Sequence, residues 1–135
     1  MSISQGMTTQ SKYFALGYVS TGQLKMALYT AEANLSYTTQ TYSADGEVVG
    51  TGYTAGGKVL TNVTVSQSGT TAYLTFDNVV WDPANFTARG AVIYNTTLGN
   101  LAIAVLDFGS DKIATSTFTV EVPANSASSA LVRIS

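Results

Sequence analysis

The sequence predicts an all-β chain, an antiparallel β-sandwich or small barrel of about seven or eight strands with an extended N-terminal arm. Three observations predict it: short apolar runs that alternate or are continuous, turn residues such as Asp-Gly, Gly-Gly and Asn between them, and no stretch with a convincing amphipathic-helix period. The length of 135 residues suits one domain. Residues 1–22 are read as the arm and residues 23–135 as a single β domain.

The arm is rich in Ser, Thr and Gln, with one aromatic island at Tyr13-Phe14. From Leu24, the alternation of Leu24, Met26 and Leu28 with Lys25, Ala27 and Tyr29 marks a half-buried first strand. Asn34 to Gly57 is polar and glycine-punctuated, so it reads as a long ordered loop holding at most a short strand near Glu47-Val48-Val49. Lys58 to Ser66 and Thr71 to Asp77 form a hairpin through Gln67-Ser68-Gly69-Thr70. Val79-Val80-Trp81 is a short strand stopped at Pro83, which has no N–H to give a central ladder, and the single tryptophan is a core anchor. Ala91 to Tyr94 and Leu101 to Phe108, joined by Asn95 to Asn100, are continuously apolar, the pattern of strands covered on both faces. Thr117 to Val122 and Leu131 to Ile134 complete the set, separated by a polar loop or helical turn from Pro123 to Ser129.

Composition narrows the chemistry. The chain has no Cys and no His, which excludes disulfides, thiol nucleophiles and the commonest metal ligand and general base. Eight acids against six bases provide no basic footprint for phosphates, so neither nucleic acid nor an anionic membrane is an expected partner. Only 10% of residues are charged, well below the roughly 25% of an average domain. Ser and Thr make up the difference, in runs such as Thr38-Thr39-Gln40-Thr41, and a neutral hydroxyl surface is cheap to desolvate against another protein. The first residues lack a basic and apolar leader, so no secretory signal is expected, and the Asn-X-Ser/Thr triplets at Asn34, Asn62, Asn85 and Asn95 carry no weight as glycosylation sites.

Few acids remain as candidates for chemistry. Asp107 and Asp111 around Gly109 are spaced too loosely for an EF-hand loop and read as a turn in which Asp accepts from backbone N–H groups, so no metal is expected. Asp45 with Glu47, or Asp77 with Asp82, offers the paired carboxylates of a glycosidase; alternation instead makes Asp45 and Glu47 solvated edge charges. Arg89 reads as an ion-pair or carbonyl anchor. No residue is assigned a catalytic, cofactor-binding or metal-binding role. Tyr13, Phe14, Tyr37, Tyr42 and Tyr53 are the candidate interface residues, because exposed aromatics anchor protein contacts; the last three, in the glycine-rich region, also suit stacking on sugar rings.

Several segments, in order, carry a resemblance: Leu24-Lys25-Met26-Ala27-Leu28-Tyr29-Thr30, Thr41 through Gly57 with its Gly50-Thr51-Gly52-Tyr53-Thr54-Ala55-Gly56-Gly57, Val79-Val80-Trp81, Phe86-Thr87-Ala88-Arg89-Gly90-Ala91-Val92-Ile93-Tyr94 and Ala104-Val105-Leu106-Asp107-Phe108-Gly109. Over about Leu24 to Val122 the chain resembles small structural proteins encoded among the virion genes of tailed bacteriophages. The resemblance implies a virion component assembled in the host cytoplasm. Among such roles, a capsid cement or decoration protein that binds and stabilises the major capsid protein lattice suits the neutral surface and the absence of catalytic groups. Its partners would be the major capsid protein and copies of itself, a trimer at a threefold position being one arrangement. The alternative is a tail- or fibre-associated module that binds host glycans. A glycosidase using Asp45 and Glu47 ranks third, and no enzyme activity or cofactor is expected.

Overall fold

The alternating run at Leu24 becomes an inner strand of a four-stranded antiparallel sheet in the computed structural model, which describes residues 2–123 and 130–134. That sheet contains β1 (Leu24–Tyr29), β2 (Lys58–Val59), β6 (Phe86–Asn95) and β7 (Leu101–Ala114) in the order β2-β1-β6-β7. A second sheet has β3 (Thr64–Ser68), β4 (Thr71–Thr75) and β9 (Val132–Ile134) in the order β3-β4-β9, and a third pairs β5 (Val79–Trp81) with β8 (Phe118–Val120). The fold is therefore β-rich and antiparallel with one short helix, α1 (Thr9–Val19). Its sheets are open, and among the described residues they do not close into a barrel.

Two of these sheets are consecutive stretches of one ribbon. Val79 pairs with Val120 and Trp81 with Phe118; the Ala84 N–H donates to the Ser116 carbonyl at 2.7 Å; Phe86 then pairs with Ala114 and Asn95 with Leu101. The ladder is interrupted at the cis Asp82-Pro83 peptide, again where Arg89 alone faces Phe108 to Asp111, and once more by a one-residue shift between Ile93 and Tyr94. That second interruption is a bulge, in which Gly109 has φ +84° and its N–H is accepted by the Asp107 carboxylate at 2.8 Å. β7 thus runs on to Ala114, six residues past the apolar stretch from which it was expected.

The main core forms where all three sheets and the helix meet: Leu24, Met26 and Leu28 from β1, Ile93 from β6, Leu74 from β4, Trp81 and Phe118 from the ribbon, and Leu16 from α1. Trp81 is 1% exposed and meets Phe118 edge-on at 6.0 Å, as expected of a core anchor. A second apolar cluster, Ala27, Tyr29, Val92 and Tyr94, lies on the opposite face of β1 and β6, with Ala33, Leu35 and Tyr42 packed against it. The expected half-buried first strand is therefore buried on both faces, because the chain after β1 folds back over its second face. The both-faces expectation holds for Gly90 to Asn95, whereas β7 is an edge strand with intermediate cover from Leu101 to Leu106 and is mostly exposed from Asp107 to Ile113.

The extended arm expected over residues 1–22 is corrected over Thr9–Val19, which form α1, while residues 2–8 before it are non-helical and exposed. Thr8 caps the helix by accepting from the Ser11 N–H at 3.2 Å, and Leu16 enters the main core. Lys12 is also buried; its stem lies inward and its ammonium donates to the Thr70 carbonyl at 2.7 Å. At the other end the fully buried Asn95 side chain donates to the carbonyls of Val19 and Thr21, each at 2.7 Å, and accepts from the N–H groups of Thr97 and Leu98. The helix was not legible as amphipathic because apolar residues occupy both its faces.

The expected hairpin is present between β3 and β4, turning on Gly69-Thr70 with Gly69 at φ +59°. Its first run, however, divides: Lys58–Val59 joins the large sheet, Asn62 at φ +54° redirects the chain, and Thr64–Ser68 joins the second sheet. The short strand expected near Glu47 is reduced to a single bridge between Tyr29 and Glu47. The polar segment expected between Pro123 and Ser129 lies, from 124 on, outside the described residues.

The close approach of β1 and the glycine loop generates a prediction. A Cβ at Gly57, where φ is +83°, would stand 1.8 Å from the Met26 carbonyl oxygen, whereas one at Gly69 would meet nothing within 4 Å. Gly69→Ala should lower the free energy of unfolding in urea by about 1–2 kcal/mol, the cost of a left-handed alanine. Gly57→Ala should cost several times more or prevent folding. Equal costs would contradict this packing.

Candidate functional site

A carboxylate placed in an apolar setting must find donors, because the ionised form loses its hydration there. Glu47, expected as a solvated edge charge, is 8% exposed and is the single buried acid among the described residues. The Tyr42 hydroxyl donates to its Oε1 at 2.6 Å, the Tyr53 hydroxyl donates to its Oε2, and the Gly56 N–H donates to the same oxygen at 2.8 Å. Three donors from the glycine-rich region thus converge on one carboxylate. The correction has a physical cause: alternation fixes the side-chain direction, but the cover over that direction comes from residues far along the chain.

Further tyrosines extend the network to the sheet. The Tyr53 hydroxyl accepts from the Leu28 N–H at 3.0 Å, Tyr94 donates to the Gly56 carbonyl at 2.6 Å, and Tyr29 donates to the Ser43 carbonyl at 2.6 Å. Tyr42 stacks on Tyr94 with ring centroids 4.7 Å apart, and Tyr53 lies against Trp81 and Phe86 at 6.3 and 5.9 Å. Backbone bonds finish the attachment: Val48 N–H to Leu28 carbonyl at 3.0 Å, Thr30 N–H to Gly46 carbonyl at 2.8 Å, and Tyr42 N–H to Asn100 carbonyl at 3.0 Å. Burial, followed by the Glu47 charge, pushes the Tyr29 hydroxyl up to about 12. Burial and the hydrogen bond to Glu47 raise Tyr42 and Tyr53 further, and burial with the Glu47 charge raises Tyr94.

Of the expected interface residues, the structure brings Tyr42 and Tyr53 together on Glu47, half-buried and with their hydroxyls engaged. Tyr37 is fully exposed and joins neither. Tyr13 is half-buried against the main core, and Phe14 is 64% exposed beside it with ring centroids 5.8 Å apart; both belong to α1. A three-tyrosine stacking platform is therefore not assembled. Tyr29 and Tyr94, which complete the network, were missed because they sit in strands that read as core. Their signal was the pairing of two strand tyrosines with a nearby acid in a glycine-rich segment.

Other candidate groups are placed more simply. Asp45 is exposed in its turn, and Asp77 accepts from Thr61 and Asn62 at 3.1 and 2.6 Å. Arg89 donates to Asp107 at 3.2 Å, which makes it the ion-pair anchor of the bulge, and the Gly109 N–H, followed by Arg89, lowers the Asp107 carboxyl. Among the described residues no three acids converge as a metal site would require. A hollow of about 250 Å³ lies between Leu35 and Arg89, and a larger groove of about 580 Å³ between β7 and β8 is walled by Leu106, Phe108, Phe118 and Val120. No protein-family model matches the chain, and no curated protein or solved structure is similar to it.

The network makes stability depend on alkaline pH. An unfolded tyrosine ionises near 10, whereas these four hold their protons higher. In that interval the unfolded chain has lost protons that the native state keeps, so stability is complete below about pH 10 and falls as pH rises through about 12. Urea midpoints measured across that range should decline steadily, with ultraviolet titration showing late ionisation of Tyr29, Tyr42, Tyr53 and Tyr94. Constant midpoints, or ionisation of all the tyrosines together near 10, would contradict the network.

Proposed function

We propose that the chain is a bacteriophage virion structural protein, acting as a capsid cement or decoration protein that binds the major capsid protein lattice and copies of itself. The observation that carries this reading is the disposition of its polar groups. Glu47, the one buried acid among the described residues, is committed to holding the fold, while Ser and Thr are the largest group among the exposed residues, with apolar points such as Tyr37, Val49 and Ile113. Such a surface can be covered by another protein at little desolvation cost, and its apolar points supply contact area. A body of stacked β-sheets, a sandwich in the finer reading, presents these loops on a firm support. The order of motifs resembling virion proteins supports the same role.

The glycan-binding alternative draws less support, since of Tyr37, Tyr42 and Tyr53 only Tyr37 stands free of the internal packing. A glycosidase draws least, because the Glu47 carboxylate already accepts three hydrogen bonds.

Quantitative gel densitometry of purified particles, with heads and tails separated, tests the proposal. The expected result is a copy number approaching that of the major capsid protein, found in heads. A few copies confined to tails would overturn it.

A further inference from the structure

The helix that replaces the expected arm has two apolar faces, and the sheets use only one. At about 100° per residue, Lys12, Leu16 and Val19 point one way, and these are the residues buried or packed on the core. Phe14 and Tyr18, one turn apart, point the opposite way and are 64% and 68% exposed. Ile3 and Met7, 84% and 54% exposed, lie in the non-helical stretch that leads into the Thr8 cap. The support beneath is firm: Lys12 and Thr9 donate to the carbonyls of Thr70 and Gly69, and Gln67 donates to Gln10.

We infer that this outward face of α1 is a self-association surface, packing against the same face of a second copy with Ile3 and Met7 joining the seam. Charge selects this occupant. Lys12 is the sole charged side chain between residues 2 and 24, and it points inward, so the face offers nothing to a charged partner and nothing that repels its own copy. Area agrees: the four side chains expose on the order of 500 Å² per copy, more than half of the roughly 800 Å² per partner in a standard interface. Gly17 adds a third observation. Glycine within a helix is unfavourable, yet a Cβ there would meet nothing within 4 Å inside the molecule, so its own packing does not require glycine. Beside Phe14 and Tyr18, the missing side chain permits the close approach of a second helix.

This inference rests on the self-association in the proposed function and not on a head location, and its readout is separate from copy number. Sedimentation equilibrium of the full chain over a concentration series should show reversible association. Phe14→Ser/Tyr18→Ser should weaken it at least roughly thirtyfold, as expected when central aromatic anchors are removed. Gly17→Leu fills space that is open in the single molecule, so it should leave the thermal midpoint unlowered and still weaken association roughly tenfold or more. A wild-type chain monomeric at every concentration overturns the inference, even if the double variant binds particles poorly, which would assign the face to the capsid lattice instead. Association that is unchanged in Gly17→Leu and in the double variant also overturns it.

Discussion

A single buried carboxylate holds the fold's largest irregular region in place. Glu47 cannot lie beneath the glycine-rich segment as an ion without donors, and Tyr42, Tyr53 and Gly56 supply them from that same segment. The consequence reaches the sheet. With the loop fixed, Tyr29, Val92 and Tyr94 gain a cover, and β1 and the Gly90 to Asn95 part of β6 are buried on both faces instead of one. Removing one partner from such a network would leave the others unpaired in a dry setting, so its parts depend on one another more than an inventory of hydrogen bonds implies.

The rest of the molecule follows from that arrangement. A long ribbon made of β5 and β6 against β7 and β8 carries residues of the main core, and the sheet of β3, β4 and β9 adds Ala72 and Leu74 to it. α1 then docks on this second sheet, with Asn95 at the end of β6 holding the carbonyls of Val19, the last helical residue, and of Thr21. Ser and Thr are the largest group on the outer surface, with exposed apolar side chains among them, which supports the structural, protein-binding role proposed above.

Much of the β framework was legible in the sequence wherever the signal was local. Alternation located β1 and β4, the Gln67-Ser68-Gly69-Thr70 connector located the hairpin that β4 makes with β3, and Pro83 marked the end of β5. What could not be read depended on distant cover. The burial of Glu47 is created by Tyr42, Tyr53 and Gly56 together with the sheet, and a carboxylate after a turn otherwise belongs in water. α1 was obscured because Leu16 marks one face while Phe14 and Tyr18 mark the other, which erases the single stripe that identifies a surface helix. The last part of β7 was hidden by the Gly109 bulge, whose residues carry turn chemistry inside a strand.

Replacing Glu47 by Gln tests the central claim most directly, because volume is kept while the charge and one acceptor oxygen are lost. Urea unfolding combined with amide hydrogen exchange should show a loss of about 2–4 kcal/mol, the scale of charge-assisted bonds broken in a buried site, with protection lost first between residues 41 and 57. A variant within about 0.5 kcal/mol of the parent, the range of an ordinary surface substitution, with that segment still protected, would contradict the account.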